Sequence, residues 1–285
     1  MTVHYERIPS TDPRLARHIR HDSQSRRYGF PTAGLSIVNA KHTRGIPVLD
    51  QGQLGSCTGN AGIGCLGTEP FYETYTPVSR YPLTEAGAVQ LYSDATSADD
   101  YPGQYPPDDT GSDGLTIAKM LKAAGEISGY QHTFSLGGAL KALGQTPVIV
   151  GVAWHQDMFD PDPDGRLRIT GPVVGGHEFV VDEVDADAGR VWLTNSWGAG
   201  WGIQGRAYLT FADFGALLAD QGDVTIFTPL TQPAPQPTPA PVPPAPADPD
   251  AALAAVARPW VAEHHVGDNH RMATALRGWL ATKGL

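Results

Sequence analysis

The order of patterns along the chain predicts an α+β body of two unlike halves, and three observations carry that prediction. Segments with helical periodicity come first, between Cys57 and Gly144. Runs rich in β-branched and aromatic residues, separated by turn residues, follow from Pro147 to Phe211. Alternating prolines and small residues then begin at Pro229, a composition that can neither build a core nor donate regular backbone hydrogen bonds.

The segment after Cys57, TGNAGIGCLGTEPF, predicts a buried helix built from small residues. Thr84 to Asp94 (TEAGAVQLYSD) and Leu115 to Ala124 (LTIAKMLKAA) have helical periodicity, each after turn residues, and SLGGALKALG from Ser135 predicts a glycine-bearing helix. PVIVGVAW, RLRIT, EFVVDEV, RVWLTNSW and GRAYLTF predict strands, and PDPDG, GPVVGG, DADAG and GAGWGIQG predict the turns between them. An antiparallel sheet of hairpins follows. The chain contains no internal repeat.

Four regions result: an N-terminal arm at 1–45, a catalytic domain at 46–228, a proline-rich linker at 229–249 and a small helical tail at 250–285. As polyproline II, the linker spans up to about 65 Å at roughly 3.1 Å per residue. The tail predicts two short helices. In the second, Asp268 or Asn269 is the N-cap and Met272, Leu276, Trp279 and Leu280 recur at helical spacing. So short a segment lacks a self-sufficient core, so the tail is expected either to dock, self-associate or bind a partner protein or surface, or to be a loosely helical, mostly inert extension. His264, His265 and His270 stand without cysteines or clustered carboxylates and are expected to be surface residues, not metal ligands.

Composition excludes several function classes. The net charge is -10 although residues 1–30 hold six arginines against Glu6, Asp12 and Asp22, so the acidity belongs to the body and nucleic acid is not the expected partner. No run reaches the roughly 18 to 20 apolar residues of a membrane span, and the polar start lacks a signal segment; the expected location is cytoplasmic, or virion-associated or released. Two cysteines, Cys57 and Cys65, leave no room for a disulfide framework or a four-cysteine metal site. Eight residues apart on one predicted helix, they should not bridge. Cys65 is expected in the core.

Chemistry concentrates in DQGQLGSCTGNA at 50–61, GGHEFVVDEV at 175–184 and TNSWGAGWGIQGRAYL at 194–209. The first starts a helix at Cys57, where unsatisfied backbone N–H groups and the positive dipole end favour thiolate over thiol. His177, at a strand start after two glycines, can supply an imidazolium from the other half. Asn195 lies 195 - 177 = 18 positions later, across a predicted hairpin. Its amide can accept from the imidazole N–H and fix the ring's tautomer and direction. Trp197 would shield that bond from water. Each residue alone has an ordinary structural explanation; their joint occurrence, in order, points to a thiol hydrolase site.

These segments resemble the papain-like cysteine peptidases. Gln51 stands six positions before Cys57, Gly55-Ser56 directly precede it, His177 and Asn195 follow at 120 (177 - 57) and 138 (195 - 57) residues, and NSWGAGWG runs from Asn195 to Gly202. The resemblance covers residues 46 to 228. It implies a helical half and an antiparallel sheet half facing across an active-site cleft. It also implies a thioester acyl-enzyme without metal or organic cofactor, and an oxyanion hole from the Gln51 side chain and the Cys57 backbone N–H. By family position, GSDG at 111–114 resembles the strand edge that binds extended substrate backbone, with Asp113 and Gly114 near the main specificity pocket; Asp113 would favour cationic side chains.

Several positions depart from the pattern. Leu54 stands where the family has a disulfide cysteine, Thr58 replaces the aromatic residue after the nucleophile, and Gly176 and Glu178 flank the histidine. Fifty residues precede Gln51, too few for the family's large inhibitory pro-segment, so RHIRHDSQSRRYGF is expected to strap along the body. The expected function is hydrolysis of peptide or isopeptide amide bonds. A binding or scaffolding protein attached through its tail, or a bacterial or phage cell-wall-peptide hydrolase targeted by that tail, are the alternatives.

Overall fold

The computed structural model describes residues 4–21, 28–76, 79–230 and 271–282. The chain divides into two compact units, Met1–Thr231 and Gln232–Leu285. Of the second, the described part is one helix, Arg271–Thr282, on which the spacing of Met272, Leu276, Trp279 and Leu280 falls. The other predicted tail helix, both proposed N-caps, the three tail histidines and nearly all of the linker lie outside the described residues.

The first unit begins with two short paired strands, β1 His4–Arg7 and β2 His18–His21. The helices α1 Cys57–Leu66, α2 Phe71–Thr74, α3 Glu85–Ala98 and α4 Gly114–Ala123 come next. Thr84 and Asp113 cap α3 and α4 by accepting from Gly87 N and Thr116 N, which fixes where those helices begin. A mainly antiparallel sheet follows, built from β3 Ala40–Lys41, β4 Gly129–Thr133, β5 Val148–His155, β6 Val173–Asp185, β7 Arg190–Thr194, β8 Arg206–Thr210 and β9 Asp223–Thr228. Its order is β4-β9-β5-β6-β7-β8, with β3 on β6. Two further helices are α5 Leu136–Leu143 and α6 Phe211–Ala219. No described helix is long and apolar enough to cross a membrane.

Both faces of the central strands are covered. Val148, Val150 and Val152 of β5 join Phe179 and Val181 of β6 in one core with Leu140, Leu143, Phe214 and Leu217 of α5 and α6. Ile149, Val180 and Phe227 join the opposite core with Ile63, Leu91, Ile117 and Leu121 of α1, α3 and α4. A strand buried on both sides needs an unbroken apolar run, which is why PVIVGVAW does not alternate.

Three strand expectations are corrected. RLRIT forms no strand: Arg166 makes an isolated bridge to Tyr208 and Leu167 N donates to Tyr208 O at 2.9 Å, so the segment only leans on β8. GPVVGG is no turn throughout, because Val173–Gly176 already belong to β6 and His177 lies inside that strand. Finally, GRAYLTF changes element at its last residue: Thr210 caps α6 by accepting from Asp213 N, and Phe211 is helical. The sheet is also not a simple run of hairpins, since β9 inserts between β4 and β5.

Candidate active site

Cys57 opens α1, as its position after Gly55-Ser56 predicts. Ser56 does not cap the helix; its hydroxyl donates to Asn60 Oδ1 at 2.9 Å, and Asn60 donates in turn to Glu85, so Ser56 braces the first turn from within. Cys65 is a free, fully buried thiol at the far end of α1, near Pro147 O, in keeping with a core role.

From the sheet half, His177 Nε2 lies 2.7 Å from Asn195 Oδ1, which places the ring proton on Nε2. The β6–β7 register sets up this pair: Val180 is opposite Thr194, the last residue of β7, so Asn195 follows directly beside the histidine's stretch of β6. Trp197 and Trp154 flank the imidazole at centroid distances of 4.9 and 4.8 Å. They leave the His177–Asn195 bond buried.

Gln51 is tied to the same loop. Its Oε1 accepts from Ser196 Oγ at 2.7 Å and its N–H donates to Ser196 O at 2.9 Å. The Asn-Ser-Trp run therefore serves two walls, asparagine to the histidine and serine to the glutamine. Gln51 Nε2 donates to Leu54 O at 2.7 Å and to Arg14 O at 3.2 Å.

That last contact belongs to the N-terminal arm, which is a strap but runs through the cleft and not along the outside of the body. Arg17 N donates to Gly176 O at 3.0 Å on the sheet wall, and His18 N donates to Ser112 O at 2.8 Å on the helical wall. Leu15, Ala16, Arg17 and His18 are all buried. Gly175 and Gly176 permit this approach: a Cβ on Gly175 would come 2.5 Å from Leu15 Cβ, and one on Gly176 would strike Arg17 O. Arg14 is pinned by Asp12 at 2.7 Å and lies 4.3 Å over the Trp197 ring. Within GSDG it is Ser112 that meets the arm, through the hydrogen bond from His18 N and an isolated bridge to Arg17.

Burial beneath this strap reverses the expected electrostatics. The Cys57 thiol is pushed up to about 12, first by desolvation and then by the charge of Glu178, which together outweigh the backbone N–H groups of Ala16, Glu178 and Thr58. His177 is lowered to about 4, chiefly by desolvation, although its bond to Asn195 works the other way. Shifted in this way, Cys57 is a thiol and His177 a neutral imidazole near neutral pH. The helix N-terminus alone does not deliver a thiolate.

Asp113 does not present a free carboxylate to an open pocket. Both its oxygens serve the α4 cap, accepting from Thr116 N and Oγ1 at 2.8 Å, and Arg20 approaches at 3.5 Å. Gly114 is the first residue of α4, packed over Glu178. No sequence motif marks Glu178 or Asp223 as binding residues. Glu178 was visible beside His177, but only the register brings Asp223 to it.

The fold is that of the papain-like cysteine proteases. Xylellain, a cysteine protease from Xylella fastidiosa, superposes with a TM-score of 0.61 at 14% identity, over 79% of this chain and 100% of that one. Procathepsin L 3 of Tenebrio molitor larval midgut superposes with a TM-score of 0.52 at 15% identity, covering 70% of this chain and 73% of that one. The proform of Amb a 11, a ragweed pollen allergen, gives 0.52 at 16% identity, covering 71% and 70%. No protein-family profile and no curated protein sequence matches the chain.

Proposed function

We propose that the chain is a cysteine-dependent hydrolase of peptide or isopeptide amide bonds, held closed by its own N-terminal arm. The observation that carries this reading is the buried His177–Asn195 bond, linked through Ser196 to Gln51 on the nucleophile's wall. In the cycle, Cys57 attacks the carbonyl carbon, His177 takes the thiol proton and returns it to the leaving amine, and water hydrolyses the thioester. The Gln51 amide and the Cys57 N–H hold the oxyanion. Arg14 O, accepting from Gln51 Nε2, marks where a substrate carbonyl oxygen would sit. Asn195 orients the ring and Trp197 covers it.

The test is labelling by a thiol-directed epoxide peptide. Modification of Cys57, lost in Cys57→Ala, is expected, and Cys57 left unmodified after the arm is displaced would sink the reading. Gln51→Ala should slow turnover by about 10² to 10³, measured as kcat on a peptide amide.

Displacing the arm should be measurable by itself. Leu15→Ala removes a buried anchor; large-to-small changes of this kind cost about 2 to 5 kcal/mol, so alkylation of Cys57 should quicken by roughly tenfold or more. The pH profile should move with it. With the thiol near 12, the intact chain's alkylation rate climbs throughout the alkaline range, since thiolate accumulates only as pH approaches that value. In Leu15→Ala the climb should begin at lower pH. Superimposable profiles would count against the arm as the cause.

The alternatives place the function in the tail, as a scaffold or as a wall-directed hydrolase. A chain ending at residue 230 that keeps thiol reactivity but loses co-purifying partners would favour a targeting role for the tail.

A further inference from the structure

Three sheet positions stand in one row. Gly151 of β5 is directly opposite both Glu178 of β6 and Asp223 of β9, so two acidic residues flank a glycine across adjacent strands. The same face of β5 and β6 carries Ile149 and Val180 into the core beneath α1 and α4, so this row looks toward the helical half, beside the nucleophile. Gly114 at the start of α4 closes it from above, where a Cβ would strike Glu178 Oε1.

The arm puts the guanidinium of Arg17 into this row. Arg17 Nη2 pairs with Asp223 Oδ1 and donates to Gln221 O at 3.2 Å. Gly151 makes the space: a Cβ there would come 3.0 Å from both Arg17 Cζ and Asp223 Oδ1. Even so, the fit is incomplete. Arg17 Nε and Nη1 have no hydrogen-bond partner, and neither carboxyl oxygen of Glu178 has one, although both side chains are fully buried. A buried carboxyl without a hydrogen bond is costly, and the nearby charge of Arg17 offsets this only in part, since burial still holds Glu178 well above the usual carboxylate range. Two guanidinium nitrogens and two carboxyl oxygens thus stand without hydrogen-bond partners along one buried row.

We propose that Glu178 and Asp223, with Gly151 between them, form the specificity pocket of the hydrolase, that it selects an arginine side chain of the substrate, and that Arg17 is its internal stand-in. The proposal rests on the hydrolase reading above and names its substrate class. A substrate is free to enter with different backbone placement from the arm and so to engage Glu178 as well as Asp223. Arginine suits two separated carboxyl groups better than lysine because its planar fork offers five donors in fixed directions. Asp113, named from the sequence as the cation-selecting acid, lies nearby but is occupied by its cap and by Arg20.

The test uses the full chain and the probe N-acetyl-arginine amide, with the citrulline analogue as its neutral isostere. Binding is followed by titration calorimetry in a Cys57→Ser background, where turnover is absent. Arg17→Met should bind the arginine probe at least tenfold more tightly than the unaltered arm does, and at least tenfold more tightly than it binds the citrulline analogue. Adding Glu178→Gln or Asp223→Asn should abolish that preference. Arg17→Lys, which keeps the buried charge and protects folding, should bind the probe with intermediate affinity. Equal affinity for arginine and citrulline, or no binding by the folded Arg17 variants, overturns the pocket. With Cys57 intact, Arg17→Met should enrich arginine at one position of a peptide library. Probe binding without turnover leaves the pocket standing and removes the hydrolase reading; turnover without basic preference does the reverse.

Discussion

Replacing His177 by alanine should lower kcat for amide hydrolysis by about 10⁶, the scale of loss when a nucleophile's base is removed from a unit that acts together. The measurement belongs in the Leu15→Ala background, so that the arm does not mask the result. His177 is the imidazole that Asn195 orients, through Nε2 and Oδ1 at 2.7 Å. Asn195→Ala should cost less, because the ring would still be wedged between Trp154 and Trp197. A His177→Ala chain that retains turnover would show that another base serves Cys57.

Trp154→Ala should destabilise the body by about 3 to 5 kcal/mol, read as a fall in the denaturant midpoint of its unfolding transition. Trp154 is fully buried, and its ring meets those of His177 at 4.8 Å, Trp197 at 5.2 Å and Phe179 at 6.1 Å. Removing it opens a cavity against the imidazole. Catalysis should therefore fall along with stability, and Trp154→Phe should restore most of the stability while leaving the ring less firmly placed. A stability loss below about 1 kcal/mol would mean that the neighbouring rings collapse into the space.

The chemistry of the site was more legible than its state. Cys57 at a helix start, His177 ahead of the apolar run Phe179–Val181 and Asn195 in NSWGAGWG are each local patterns, and the hairpin between the last two follows from the turn at Asp185–Arg190. Ser196 was hidden in that motif: its bond to Gln51 spans 145 positions and could not be inferred from spacing. The thiolate that the helix start predicts is absent for the same reason. A helix terminus can be read from neighbours, whereas burial under residues 14–18 depends on where a distant arm lies.

The element boundaries divide along similar lines. Helices α3, α4 and α5 begin where a threonine, aspartate or serine precedes a periodic run, because the capping side chain lies within three residues of its partner. RLRIT carried the right composition for a strand but found no ladder, since strand formation depends on a partner elsewhere in the chain. The insertion of β9 between β4 and β5 is likewise set by packing.

By itself the sequence determined the two-part α+β body, the starts of its main helices, and the order of a cysteine, a histidine and an asparagine suited to thiol chemistry. Only the tertiary structure decided that the arm lies in the cleft, that Cys57 and His177 are both neutral there, and that Glu178 meets Asp223 across Gly151. Capping and periodicity act over three or four residues and can be read along the chain. Sheet register joins positions 178 - 151 = 27 and 223 - 151 = 72 residues apart, and the free energy that fixes it comes from burying both faces at once.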